Sequence, residues 1–231
     1  MARSKSGQNK WGVGHKGKLL LACLSTMPVD AERMPVPWER LGIRLATLAD
    51  IPRIRQCNLD NLPENYPDTF FQRHIYTWPD LSIIAEDIDN DVLVGYALGR
   101  TEMVANKKGA RDVVERPRYM GHVTSIAVDR DYRGYGLASS LMVRLHEEMI
   151  RHYEVNRVNL HVRVSNEAAI SLYNKKLAYE CTERVSEYYA DREDAWVMEC
   201  DRGDMVVSEE AVLTPPSSSS FSSSPSSLSS Q

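Results

Sequence analysis

HVTSIAVDRDYRGYGLA, residues His122 to Ala138, decides how this chain folds. The stretch opens as a β-branched apolar run, His122–Asp129. It passes through a turn with glycines at 134 and 136. It then enters a pattern whose apolar residues Leu137, Leu141, Leu145, Met149 and Tyr153 recur every four positions. These periods specify a strand, a Gly-rich turn and an amphipathic helix. Such a turn leaves the first N–H groups of the helix without intrahelical acceptors, and the helix dipole adds positive potential at the same spot. Glycine lets a ligand come close to the backbone. Together these make a cradle for phosphate. Two phosphate loops are excluded by their spacing. GxxxxGK[ST] fails because no Lys follows Gly136. GxGxxG fails at Ser139, and the next strand supplies no ribose-binding acid.

Working outward, Ile43–Thr47 reads as a strand, and Asp50 as the N-cap of a helix through about Asn61 with Pro52 in its first turn. Residues 62–67 form a loop, since each Pro biases its predecessor away from the helical region, and a short helix covers 68–77. Leu81–Ile88 and Val92–Arg100 read as strands joined at Asp89-Asn90-Asp91. Residues 104–118 read as a long surface loop with Lys107, Lys108, Arg111, Arg116 and Arg118. Beyond the central helix, Val158–Val164 is a strand. Ser165 or Asn166 caps a helix with Tyr173 and Leu177 on its buried face. Tyr179–Tyr189 and Asp194–Cys200 close as two strands. The order β-α-α-β-β-β-α-β-α-β-β packs best as a mixed sheet with helices on both faces.

The chain has 231 residues, 42% of them hydrophobic and 26% charged, with a formal net charge of −4. That balance excludes a polycation built for nucleic acid. No apolar run approaches the ~20 residues of a membrane span. The four Cys, at 23, 57, 181 and 200, form no CxxC, which excludes a zinc module or disulfide framework and fits a reducing compartment. The charge is uneven: residues 1–40 carry +4, 203–231 carry −3, and 41–202 carry −5. We therefore read 1–40 as a basic extension, 41–202 as one domain, and 203–231 as a tail. Its last fifteen residues hold eleven Ser, a composition expected to stay disordered. The apolar run Leu19–Leu24 is short for a targeting signal, and no small-residue cleavage site follows it.

Arg133-x-x-Gly136-x-Ala138 resembles the pyrophosphate signature [QR]-x-x-G-x-[GA] of the GNAT N-acetyltransferases. More narrowly, the chain is similar to the catalytic subunits of NatA-type N-terminal acetyltransferases. The segments that carry this are Cys57-Asn58-Leu59, Leu62-Pro63-Glu64-Asn65-Tyr66, Trp78-Pro79, Ala85-Glu86-Asp87, Gly121-His122-Val123-Thr124-Ser125, Leu160-His161-Val162-Arg163, Ser165-Asn166 and Tyr188-Tyr189-Ala190-Asp191. The resemblance implies an α/β (α+β) GNAT fold, with a mixed sheet of about seven strands and about four helices on both faces. It implies acetyl-CoA as co-substrate, no metal, and acetyl transfer to the α-amine of protein N-termini. Small first residues (Ser, Ala, Thr, Gly) are implied in the complex, and acidic N-termini when the chain acts alone. A large helical-repeat auxiliary subunit, nascent polypeptides and, through the complex, the ribosome are the implied partners, with no direct DNA and no membrane. The implied location is the cytoplasm, with the nucleus as a second compartment. The alternatives are an acetyltransferase for lysine or a small amine, and a non-catalytic CoA-binding assembly module.

The resemblance also assigns roles. Ile126, Ala127, Val128, Arg133, Gly134, Tyr135, Gly136, Leu137, Ala138, Asn166 and Tyr173 are expected to hold acetyl-CoA. A backbone N–H near Ile126 or Val128 is the expected oxyanion donor. Leu62, Pro63, Glu64, Tyr66, Tyr188 and Tyr189 are expected to hold the peptide. The general base is Glu64 or His161, and Tyr173 is the expected proton source for the leaving thiolate.

Overall fold

The structure, a computed structural model, describes residues 38–104 and 118–205. Most of the basic arm, most of the basic loop and the Ser-rich end of the tail lie outside the described residues. The elements run β1 (Leu41–Leu45), α1 (Ile51–Asn61), α2 (Asp68–Thr77), β2 (Ser82–Asp87), β3 (Val92–Val104), β4 (Arg118–Val128), α3 (Leu137–Tyr153), β5 (Arg157–Arg163), α4 (Glu167–Leu177), β6 (Glu180–Val185) and β7 (Ala195–Asp201). This is the expected order, in one seven-stranded sheet β1-β2-β3-β4-β5-β7-β6. Every neighbouring pair is antiparallel except β4 and β5, which run parallel.

The strands alternate as a two-sided sheet requires. Ile83 and Ala85 of β2 face α3 and α4, packing with Leu137, Leu141, Leu145 and Met149. Ile84 faces α1 and α2, with Ile54, Phe71 and Ile75. Burying each such side chain contributes roughly 1.5–3 kcal/mol, so the four-residue spacing along α3 is what clamps that helix to the sheet.

Three local expectations are corrected. Asp50 precedes α1 but does not cap it. Its buried carboxylate turns back to Arg44, at 2.8 Å on both oxygens, and accepts the Thr47 N–H. The Arg44 guanidinium holds Asp50 well below the usual carboxylate range. β3 and β4 run on to Val104 and from Arg118, because their cross-strand ladder continues to the Val104–Arg118 pair. β6 ends at Val185, so Tyr188 and Tyr189 sit in a turn rather than a strand. Glu187 adopts a left-handed φ of 51° there, and its N–H is taken by the Asp194 carboxylate.

The sheet opens in the middle. β4 pairs with β5 only from Met120–Arg157 to Val123–Leu160. Opposite β3, Leu98 faces Ser125 and Gly99 faces Val123, so Thr124 is an extra residue. A bulge of this kind bends its strand and disrupts the local ladder. β4 leaves β5 at that point, and the two strand edges form a fork.

Candidate active site

The strand, glycine turn and helix run as the sequence indicates. Gly134 and Gly136 have φ of 88° and 85°, a region that L side chains rarely adopt. Among the described residues, a Cβ on Gly134 would meet nothing within 4 Å, so they leave the approach to its backbone open. Gly136 precedes α3 without a side-chain cap, and the first turn of α3 holds no acidic residue. The first bond of the helix is Ser140 N–H to the Gly136 carbonyl. The N–H groups of Leu137, Ala138 and Ser139 therefore remain for an anion.

Opposite the cradle, β5 alternates along RVNLHVR. Val158, Leu160 and Val162 enter the α3–α4 core, and Asn159, His161 and Arg163 take the other face. His161 stacks on Tyr188 with centroids 4.3 Å apart and planes 5° from parallel, and its Nδ1 is buried without a hydrogen-bond partner among the described residues. His122 of β4 lies 5.5 Å from it, ring to ring, with Nδ1 2.6 Å from Asn159 Oδ1. Burial, reinforced by the Arg100 charge on β3, pushes both imidazoles below their ordinary pKa. Both are neutral at pH 7, as a proton acceptor must be.

Two loops border the fork and meet on one guanidinium. Arg163 donates from Nε and Nη2 to Glu64 Oε1, and from Nη1 to Asp191 at 2.8 Å and Glu193 at 2.7 Å. It also stands 4.0 Å over the Tyr189 ring. Tyr189 in turn meets Tyr188 edge to face at 5.0 Å. The 62–67 segment is thus tied to the β6–β7 turn across the end of β5. Tyr66 stacks on Phe70 at 4.1 Å.

Residues 51–179 match the acetyltransferase (GNAT) family. The chain belongs to that family. It is 42% identical over 161 residues to the N-alpha-acetyltransferase daf-31 of Caenorhabditis elegans, covering 70% of this chain and 82% of that one. It is 42% identical over 156 residues to the N-terminal acetyltransferase A complex catalytic subunit NAA10 of Arabidopsis thaliana, covering 68% and 75%. Among solved structures, Chaetomium thermophilum Naa20 in complex with a bisubstrate analogue superposes with a TM-score of 0.58 at 26% identity, over 71% of this chain and 92% of that one.

On this GNAT frame the expected residues fall into three groups. Gly134, Tyr135, Gly136 and Ala138 line the open turn. Leu137, Ala127 and Val128 bury their side chains in the core, so only their backbones are left to face a ligand; Ile126 is half-buried beside them. Glu64, Tyr66, His161, Tyr188 and Tyr189 gather at the fork, with Leu62 and Pro63 on the loop that carries Glu64 and Tyr66. The third group is on α4. Asn166 caps that helix through the Ala169 N–H at 3.1 Å. Tyr173 is buried, and desolvation pushes its phenol up to about 12.

Two expected roles look different in the structure. Arg133 does not reach into open space. Its Nε donates to the Val128 carbonyl at 2.8 Å and its Nη2 to Asn61 Oδ1 at 2.9 Å, so it folds the turn back onto β4 and α1. Arg133→Ala is expected to weaken acetyl-CoA binding about tenfold through loss of these charge-assisted bonds, measured by calorimetric titration. Glu64 has one oxygen occupied by two guanidinium N–H groups, which makes it an anchor of its loop. Sequence reasoning missed Arg163 and His122 as site residues. The period-2 run Asn159-His161-Arg163 was the available signal for the first.

Proposed function

We propose that this chain is an N-α-acetyltransferase, moving the acetyl group of acetyl-CoA to the α-amine of protein N-termini as the catalytic subunit of a NatA-like complex. The observation that carries the proposal is the fork itself, with an uncapped glycine cradle on one side and the Arg163-tied tyrosine loops on the other. The N–H groups at 137–139 and the two positive-φ glycines fit a pyrophosphate. Acetyl-CoA supplies the activated acyl group.

The protein's own residues supply the rest. The strand edge Ile126–Val128 offers backbone N–H groups beside the fork for negative charge that develops on the acyl oxygen. His161 accepts the proton of the attacking amine, directly or through one water. Tyr173 stays protonated at neutral pH. Full transfer from a phenol near 12 to a thiolate of pKa about 8.5 runs uphill, so Tyr173 acts as a hydrogen-bond donor to the departing sulfur. Tyr66, Tyr188 and Tyr189 hold the peptide. An α-amine of pKa about 8 is neutral far more often at pH 7 than a lysine near 10.4, which favours N-termini.

A pH profile follows. The amine must lose its proton, and His161 is already neutral through the neutral range. On a peptide substrate, kcat/KM is expected to rise about tenfold per pH unit from pH 6 to about 8 and then level. His161→Phe is expected to lower the plateau about a hundredfold without moving the amine-controlled rise.

Similarity to catalytic subunits of N-terminal acetyltransferase complexes supports an auxiliary subunit as partner. We take it to be a large helical-repeat protein that brings the site to nascent chains at the ribosome, in the cytoplasm. Small first residues are then the substrates of the complex, and acidic ones those of the free chain. Pull-down of the native protein, with peptide-library acetylation on the eluate, tests this. A large helical partner and preference for Ser, Ala, Thr or Gly are expected. A partner-free eluate with the same preference would contradict the assembly.

A further inference from the structure

Asn58 of α1 has no solvent exposure, and each polar atom of its side chain is engaged. Nδ2 donates to the Glu64 carbonyl at 2.9 Å and to the Tyr96 hydroxyl at 3.0 Å, and Oδ1 accepts the Tyr66 N–H at 3.3 Å. Tyr96, buried on β3, lies 2.8 Å from Ser125 Oγ. Its hydroxyl accepts from Asn58, so its one proton goes to Ser125. Burial pushes the phenol above its ordinary pKa, so that proton stays. Ser125 follows Thr124, the bulged residue at which β4 leaves β5. A continuous hydrogen-bonded chain therefore runs from the backbone of the peptide loop, through the α1–α2 core, to the strand at the fork.

A buried amide among Ile54, Cys57 and Phe71 is costly unless satisfied. The loop explains its presence. Pro63 and Pro67 bracket Glu64 and Tyr66, and the segment has no strand ladder. Its backbone–backbone bonds are Leu62 N–H to Asn58 and Phe70 N–H to Pro67. The Glu64 carbonyl and Tyr66 N–H meet the Asn58 side chain instead.

We propose that Asn58 and Tyr96 are positioning residues for acetyl transfer, setting the height of the Glu64–Tyr66 loop above the fork and so the depth to which a peptide N-terminus enters. The inference rests on the peptide binding at that loop, as proposed above.

Steady-state kinetics on the full chain test it, varying a Glu-starting peptide, of the acidic class proposed for the free chain, and acetyl-CoA in turn, alongside thermal unfolding. Tyr96→Phe and Asn58→Ala are expected to raise the peptide KM about three- to tenfold, Asn58→Ala more, with the acetyl-CoA KM changed less than about twofold. Tyr96→Phe keeps the ring in the core, so it decides the matter where Asn58→Ala fails to fold. An unchanged peptide KM in folded Tyr96→Phe overturns the proposal, and so does an equal rise in both KM values, the mark of a merely structural role. Tyr66→Ala separates the failures. If it raises the peptide KM while Tyr96→Phe does not, the relay alone is wrong. If neither does, the placement of the peptide is wrong and the relay falls with it.

Discussion

Gly136→Asp is expected to abolish measurable acetyl-CoA binding, a loss of roughly a hundredfold or more. Three effects act together. Gly136 has φ of 85°, and an L residue held there costs about 1–2 kcal/mol. The residue stands at the N-terminus of the 17-residue α3, where the dipole and the free N–H groups favour an anion by about 0.3–1 kcal/mol. A carboxylate on that residue occupies those N–H groups and repels the pyrophosphate. Gly136→Ala separates the terms: it carries the backbone cost without the charge, so a loss of about tenfold is expected. Calorimetric titration of acetyl-CoA into each variant reads both. Asp and wild-type affinities within about threefold of each other would remove the cradle from the acetyl-CoA site.

Arg163→Ala is expected to lower kcat/KM for peptide by about thirty- to a hundredfold while acetyl-CoA affinity stays within about twofold. Arg163 is the cation shared by Glu64, Asp191 and Glu193. Its side chain is 16% exposed and those of the acids 30%, 60% and 24%. The Asp191 bond is the most screened and contributes least to the expected loss. Without the guanidinium, the three carboxylates lose the cation that pairs them among the described residues, and the 62–67 loop separates from the β6–β7 turn. Arg163→Lys is expected to recover only part of the loss, because one ammonium does not reproduce the fork that holds Glu64 through Nε and Nη2. Peptide kinetics within about threefold of wild type for Arg163→Ala would show that the two loops hold their positions independently.

Much of this was legible in the sequence, and what was not has a common cause. The β4–turn–α3 unit is written in periods of two and about four and in two glycines, all local signals. The Arg163 hub is not local. Its partners lie 99, 28 and 30 positions away, and no window of sequence brings them together. The same holds for Asn58 and Tyr96, 38 positions apart, and for His122 and Asn159, 37 apart. The Thr124 bulge left no mark, since HVTSIAV reads as an unbroken strand. Tyr188 and Tyr189 read as strand because their aromatic character fits one. The Asp194 carboxylate, reaching back to the Glu187 N–H, makes a turn there. Asp50 had the right residue type for a cap, but Arg44 competed for its carboxylate and won, since a bidentate ion pair outweighs a neutral N–H donor.

The central claim is transfer to an α-amine, and regioselectivity tests it most directly. The purified chain is incubated with acetyl-CoA and two peptides of one sequence, each starting with Glu, the acidic class proposed for the free chain, and holding an internal Lys, one with its N-terminus blocked. Fragmentation mass spectrometry then locates the acetyl group. The predicted result is acetylation of the free peptide on the α-amine of its first residue alone and no reaction of the blocked one. Acetyl-lysine in the blocked peptide, at a rate comparable to that of the free peptide, would contradict the account.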